Sequence, residues 1–337
     1  MTGVQTCALP ISARRERGLW RATIAGPGGR ETVTARAIVN AAGPWVADAL
    51  ATTDAKPSNA RVRHVKGSHI VVPRVHGEEH AYILQNSDKR IVFVIPYQDR
   101  YSLIGTTDVP VDEYESPRIS DEETDYLIAL ANAYLEKPIS RADVVWSYSG
   151  VRPLYDDGTS DPSAITRDYV LKVDALDDAV DGGRAPVLSI YGGKITTYRK
   201  LAEAALAEIA PHFPGMKPAW TATEALPGGD LPGGDRAALL AGLRVRYPGI
   251  DAGTLRGLAG RHGTVAAMVL GEARSAADLG EDFGAGLTAR EVDWMIEHEW
   301  ARTADDVLWR RTKCGLPMTP AQRERVSEYL SSRADRA

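Results

Sequence analysis

The sequence is poor in cysteine. Cys7 and Cys314 are the two in 337 residues. They are too few and too far apart for a disulfide framework, which fits a reducing compartment. No run of 18 apolar residues occurs, so no stretch reads as a membrane span, although attachment through a surface patch stays open. Positive charge is not in excess either. The formal net charge of −5 argues against a general nucleic-acid surface. CxxC pairs, HExxH and GxSxG are missing, which removes the common metal and serine-nucleophile signatures. The dinucleotide fingerprint GxGxxG is missing as well; "GPGGRE" does not fit it and falls in a predicted hairpin. The repeated LPGGD is too short to define a repeat architecture.

What remains is an ordinary soluble composition, 44% hydrophobic and 25% charged, long enough for one large core or two to three domains. Residues 1–12, "MTGVQTCALPIS", show no helical or strand period and no basic start, so they are not a secretory signal. They resemble a sequencing-library adapter read as protein, and are set aside together with Cys7. Two alternating runs around Gly-Pro-Gly-Gly (26–29) predict a hairpin. The short apolar strand "AIVNAAG" follows. Between 62 and 107 the runs "SHIVV", "AYILQ", "RIVFVIP" and "YSLIG" predict an antiparallel sheet. Residues 120–137 read as helix, with Ser120 and Glu123 at capping-box spacing. "VVWSYSGVRPL" and "VLSIYGG" return to strand. Residues 199–210 read as helix with Leu201, Ala202, Ala205, Leu206 and Ile209 on one face. "LPGGDLPGGD" (226–235) is a turn-rich linker. Helix continues beyond it, with starts at Thr288/Glu291 and Thr319-Pro320/Gln322.

Five stretches carry candidate chemistry. "ARAIVNAAGPW" brings small residues to a strand end, where backbone can approach a flat ligand or simply turn tightly. "GTTDV" (105–109) could bond a ligand or cap its own loop. In "SGVRPLYDD", Arg152 is held between Gly150 and Pro153 and suits a phosphate or carboxylate; the alternative is a surface pair with Asp156 or Asp168. Arg167 follows in "ITRDY". In "GGKITT" (192–197), two glycines, Lys194, Thr196, Thr197 and a helix start favour an anionic or electron-rich partner, or form an ordinary capped loop. His69, alternating with apolar neighbours in "KGSHIVVPRVH", is either structural or a general base.

Taken in order, "GSHIVVPRVH", "AYILQNSDKRIVFVIP", "LIGTTDV", "YSGVRPL", "AITRDYVL", "GGKITTYRKLAE", "PAWT", "DLGEDFG" and "EHEWARTADDVLWRRTK" resemble the aerobic, FAD-dependent glycerol-3-phosphate dehydrogenases of bacteria. The resemblance runs from about residue 18 to about 330. It implies an α/β fold: a glutathione-reductase-type FAD-binding domain (13–61 and 147–222), an inserted antiparallel substrate domain (62–146) and an all-helical C-terminal domain (223–337). It implies oxidation of sn-glycerol 3-phosphate to dihydroxyacetone phosphate with FAD as hydride acceptor. It places the enzyme on the inner face of the cytoplasmic membrane, passing electrons to quinone, with no nucleic-acid partner and with a homodimer left open. By matching position, Arg152 and Lys194 would hold the substrate phosphate, and Arg167 and His69 would face the reacting carbinol. Ala41, Ala42, Gly43, Gly193, Thr196 and Thr197 would lie along the flavin. The family opens with a βαβ unit carrying GxGxxG, which this sequence lacks. The rivals are another flavin amine or 2-hydroxy-acid oxidase and a non-catalytic fragment.

Without the pyrophosphate anchor the chain is expected to bind FAD weakly or not at all and to show little activity. Fluorescence titration of the purified chain checks this; tight stoichiometric quenching would overturn it.

Overall fold

The computed structural model describes residues 9–26, 28–55, 61–86, 90–156, 168–175 and 185–334. The chain divides into two compact units, Met1–Ala222 and Thr223–Ala337.

The first unit opens with an antiparallel meander of β1 (Leu9–Glu16), β2 (Leu19–Gly26) and β3 (Gly29–Ala35). Gly26 pairs with Gly29, as the predicted hairpin requires. β1 starts inside the stretch set aside: Leu9 pairs with Ala25 and Pro10 with Ile24, ahead of a register shift at Ser12. Backbone pairing to a neighbouring strand needs no side-chain period, so this strand left no pattern to read. Trp20 anchors the meander. It is fully buried, its Nε1 donates to the Pro186 carbonyl at 2.9 Å, and the Arg15 guanidinium lies 4.3 Å from its ring centre.

β4 (Ile38–Asn40) leads through a 3-10 turn (Gly43–Trp45) into α1 (Val46–Ala51). Next comes the large antiparallel sheet: β5 (Arg61–Pro73), β6 (Tyr82–Gln85), β7 (Ile91–Tyr97), β8 (Tyr101–Gly105) and β9 (Val109–Pro110), with β10 (Trp146–Asp156) returning to its edge. The order is β10-β5-β8-β7-β6, with β9 paired to β5. α2 (Asp121–Asn132) covers one face of this sheet, burying Leu127 and Ala131 against Ile70, Val72, Val92, Val94 and Ile104. It stops at Asn132, short of the predicted 137. There the Asn132 side chain donates to the Ile139 carbonyl and accepts from the Ile139 amide at 2.9 and 2.8 Å, and Pro138 cannot continue a helix.

β11 (Val170–Asp174) and β12 (Val187–Tyr191) complete a third sheet, in which β12 pairs antiparallel with β11 and parallel with β4. α3 (Tyr198–Ile209) packs Ala205 and Ile209 against Leu188. The predicted apolar face is narrower than its sequence pattern: Ala202 is exposed and Leu206 is 50% exposed.

The second unit holds α4 (Arg236–Arg246), α5 (Ala252–His262), α6 (Ala266–Leu270), α7 (Ala289–His298) and α8 (Pro320–Ala334). It is not all helix. β13 (Asp282–Gly284) and β14 (Leu287–Thr288) form a short ribbon. Gly284, Ala285 and Gly286 all have positive φ, which a right-handed helix excludes. The glycine-rich run 226–235 packs inside this unit rather than spanning open space. Thr264 N–H donates to the Gly228 carbonyl at 3.1 Å, and a Cβ on Gly228 would lie 2.3 Å from the His262 carbonyl oxygen. Thr319 and Gln322 form the predicted reciprocal cap at the start of α8. Glu291 does not cap α7; it is buried and accepts from Arg261 at 2.6 and 2.7 Å and from His262 at 2.8 Å.

One buried carboxylate ties α2 to the sheet. Glu123 is 7% exposed. It accepts from Ser68 Oγ at 2.9 Å, Thr107 Oγ1 at 2.7 Å and Ser120 N–H at 2.9 Å, and pairs with Lys66 at 2.8 Å. Burial pushes its pKa up, but the bonds from Lys66, Thr107, Ser120 and Ser68 outweigh that and hold it below the usual carboxylate range. A lowered carboxylate pKa adds stability above the unfolded-state value and loses it as pH falls through the folded value. Glu123→Ala strands Lys66 and two hydroxyls, at a cost of about 3 kcal/mol. The expected result is a lower urea midpoint with an unchanged m value.

Candidate functional site

The site begins with β5 and β10, which pair without a break from Trp146↔Val71 to Asp156↔Arg61. Side chains alternate across a strand. Trp146, Tyr148, Gly150 and Arg152 therefore share the face that carries Val71, His69 and Gly67, opposite the face covered by α2. His69 lies between Tyr148 on β10 and Gly105 on β8, its two cross-strand partners. Its ring stacks on Tyr148, 4.9 Å between centres and 8° from parallel. Its Nδ1 is buried without a hydrogen-bond partner among the described residues.

Burial, then the nearby Arg152 charge, lowers the His69 pKa from 6.5 to about 4. Both effects disfavour the imidazolium, so the ring is neutral at physiological pH. Arg152 pairs with Asp108, and its Nη2 donates to Thr106 Oγ1 at 3.2 Å. This is neither of the pairings open in the sequence: Asp156 pairs with Arg63 at 3.0 Å. The 105–109 turn is held by its own network, since Thr107 Oγ1 accepts from Ser68 N–H at 2.9 Å and donates to Glu123. Thr107 braces the turn while Thr106 and Asp108 meet Arg152.

The second part of the site comes from the parallel pair. Ser189 on β12 pairs with Asn40 on β4, so both strands end at the same edge. Ala41, Ala42 and Gly43 follow β4; Gly192 to Thr197 follow β12. Asn40 shapes the first turn by donating to the Val46 carbonyl at 2.7 Å. Gly43, with φ of +57°, would have nothing within 4 Å of an added Cβ. The second turn needs its glycines: φ is +73° at Gly192 and +99° at Gly193, and a Cβ on Gly192 would lie 3.1 Å from the Asp168 carbonyl and 3.5 Å from that of Pro153. The turn is thereby packed beside the residue that follows Arg152. Residues 193–198 are exposed, with Ile195 at 87%. Among the described residues no ion pair reaches Lys194. Thr197 spends both its amide and its hydroxyl on the Lys194 carbonyl, each at 3.0 Å, so its hydroxyl closes the turn instead of projecting from it.

His69 and Arg152 thus share one face, Lys194, Gly193, Thr196 and Thr197 share one turn beside it, and Ala41 to Gly43 share the edge of that turn. Arg167 lies outside the described residues. Tyr148, Tyr97, Gly67 and Gly105 escaped the sequence reading. Tyr97 is pushed up to about 12 by burial and then by Tyr148. The signal for Tyr148 was present in the period-two alternation that ends at Arg152. The glycines gave none, because their role depends on the neighbouring strand.

A ligand edge at the carboxyl ends of parallel strands is where α/β folds bind nucleotide-like cofactors. The FAD dependent oxidoreductase family matches residues 5–199, and the C-terminal domain of alpha-glycerophosphate oxidase matches residues 219–332. The aerobic glycerol-3-phosphate dehydrogenase of Escherichia coli (strain K12) is 48% identical over 330 residues, 97% of this chain and 65% of that protein. The D-erythritol 1-phosphate dehydrogenase of Brucella abortus (strain 2308) is 41% identical over 325 residues, 96% of this chain and 64% of that protein. The glycerol-3-phosphate dehydrogenase of Bacillus halodurans, solved complexed with FAD, superposes with a TM-score of 0.75 at 26% identity, covering 96% of this chain and 68% of that one. The chain therefore spans just under two thirds of the length of the two sequence relatives. It belongs to the FAD dependent oxidoreductase family.

The buried His69 has a measurable consequence. Because its folded-state pKa lies below the unfolded value, the unfolded chain takes up the proton first as pH falls from 6.5 toward 4, and stability falls over that window. His69→Gln is expected to flatten this part of the stability profile, read as urea midpoints across the pH range.

Proposed function

We propose that this chain carries the flavin-facing and substrate-facing parts of a dehydrogenase that oxidises sn-glycerol 3-phosphate to dihydroxyacetone phosphate. The observation that carries the reading is a neutral imidazole and an arginine on one sheet face, with the Lys194 turn packed beside Pro153. The names of the relatives support it. By the resemblance, residues 13–61 and 147–222 would supply the flavin part, 62–146 the substrate part and 223–337 a mostly helical part, with β10 shared because it pairs along its length with β5.

The fit to FAD rests on the shared edge of β4 and β12. Ala41, Ala42, Gly43 and Gly193 offer small side chains or none, and residues 193–198 are exposed. These residues, with Thr196 and the backbone of Thr197, would hold the isoalloxazine. Bound flavin supplies the two-electron acceptor. Arg152 and Lys194 bind the phosphate dianion, since a doubly charged group needs more than one fixed cation. Asp108 and Thr106 hold one edge of the Arg152 fork and leave its remaining N–H groups for the ligand. His69, being neutral, has a ring nitrogen with which to accept the C2 hydroxyl proton. Passage of electrons to quinone at the inner face of the cytoplasmic membrane completes the proposal and rests on the family resemblance. Among the described residues no helix is long and apolar enough to cross a membrane.

The test is anaerobic bleaching of excess added FAD by the chain. Slow bleaching by glycerol 3-phosphate and none by glycerol or lactate is expected, with D-erythritol 1-phosphate as the competing substrate of the same class. Equal rates with glycerol or lactate would remove the reading. Lys194→Gln takes away a charge-assisted contact of about 1.5–3 kcal/mol. The expected effect is a KM for the phosphorylated substrate roughly 10–100-fold higher.

A further inference from the structure

The face that carries His69 and Arg152 is bare at three points. Gly67 on β5, Gly105 on β8 and Gly150 on β10 all belong to it, and Gly67 pairs directly with Gly150. Two of these vacancies are filled by neighbouring side chains. A Cβ on Gly105 would lie 2.3 Å from His69 Cδ2, 2.7 Å from Cγ and 2.9 Å from Nε2. A Cβ on Gly67 would lie 2.6 Å from Arg152 Nη2 and 2.7 Å from Thr106 Oγ1. The third is open, since nothing lies within 4 Å of a Cβ on Gly150. Neither Gly67 nor Gly105 has a positive φ.

We infer that Gly67 and Gly105 are positioning residues, which by lacking side chains let the Arg152 guanidinium lie across β5 to Thr106 and the His69 imidazole lie flat over β8. The imidazole is then confined from two sides. Tyr148 stacks on it from β10, and β8 receives it where a methyl group would otherwise stand. The guanidinium reaches back over β5 to Thr106, close enough to His69 to help keep the ring uncharged. Among the described residues the charged and titratable groups around His69 are Arg152 and Tyr148 on β10, Tyr97 on β7, which couples to Tyr148, and Asp108, the partner of Arg152, on the turn after β8. Distances of 2.3 to 2.9 Å to ring atoms leave the imidazole no way to stay in place beside an alanine; it must rotate or lift away from Gly105. Alanine at 67 would likewise push the guanidinium off Thr106. The geometry stands by itself, while its effect on turnover rests on the dehydrogenase reading.

The experiment uses the full chain with Gly105→Ala, Gly67→Ala and, as control, Gly150→Ala. The His69 ring titration is followed by NMR. Gly105→Ala is expected to move its midpoint from about 4 toward 6.5, because a displaced ring regains solvent and leaves Arg152, whereas Gly150→Ala leaves it in place. A double-mutant cycle reads the same contact without flavin or substrate: the stability lost by Gly105→Ala is expected to be largely recovered in the His69→Ala background, and that lost by Gly67→Ala partly recovered in the Arg152→Ala background, since Thr106 Oγ1 would still lie 2.7 Å from the added Cβ. In the bleaching assay Gly105→Ala is expected to lower kcat roughly 100-fold, the scale of a misplaced catalytic group, while Gly67→Ala acts mainly on KM. An unmoved His69 midpoint in folded Gly105→Ala overturns the inference. So does a stability loss as large with His69→Ala as without it, since the glycine would then serve the backbone alone. Wild-type chain that bleaches flavin as fast with glycerol as with glycerol 3-phosphate, with the midpoint shift and the cycle intact, counts against the dehydrogenase reading and leaves the positioning role standing.

Discussion

Eleven consecutive residue pairs between β5 and β10 are the constraint on which the rest depends. That ladder decides which side chains share a face. It lays Tyr148 beside His69, puts Arg152 within reach of the 105–109 turn, and keeps Ser68 and Ser149 on the opposite side, where their hydroxyls lie 2.8 Å apart. It also joins two parts of the first unit. β10 belongs to the large sheet by hydrogen bonding, yet its far end reaches the turn after β12 through Pro153 and the ring of Tyr155, which meets Tyr191 at 5.9 Å. Groups on separate sheets thus converge through one continuous strand.

The electrostatics follow from this layout. Arg152 is partly compensated by Asp108, His69 is kept neutral, and Lys194 stands exposed with no counter-ion among the described residues. Positive charge is therefore anchored on the rigid sheet and presented on the turn. The sheet-borne cation is already fixed by its carboxylate and its hydroxyl neighbour, so a bound anion would require little reorganisation of it. The carboxylate of Glu123 works one layer deeper, joining β5, α2 and the 105–109 turn without facing the site itself.

Much of this was legible in the residues. The antiparallel runs between 62 and 107, the Ser120/Glu123 cap, the hairpin around 26–29 and the end of β12 at Gly192 are all local patterns, and local patterns are what periodicity and turn chemistry report. Contacts between distant segments were less legible. Arg152 had two acidic neighbours in sequence and paired with neither, because strand pairing delivers Asp108 instead. Glu291 had helix-cap spacing from Thr288 and went to Arg261, because a buried carboxylate is held more firmly by a guanidinium than by a terminal amide. Leu206 fitted an apolar stripe and stayed exposed, since α3 covers only the narrow β11–β12 sheet. Leu9 to Ser12 carried no period, yet hydrogen bonds seat them on β2.

The spacing of groups along β10 works as a ruler. Tyr148 and Arg152 are four residues apart, about 13 Å at the usual rise of a strand, and the bare Gly150 lies midway. Inserting or deleting one residue between them would lengthen or shorten that interval by one strand rise, about 3.3 Å. It would, however, send everything beyond the change to the other side of the sheet, turning the guanidinium away from the His69 face and bringing Val151, on insertion, or Pro153, on deletion, up in its place. Sequence length in this short stretch is thus under a geometric restraint of its own, separate from the identity of the side chains it carries.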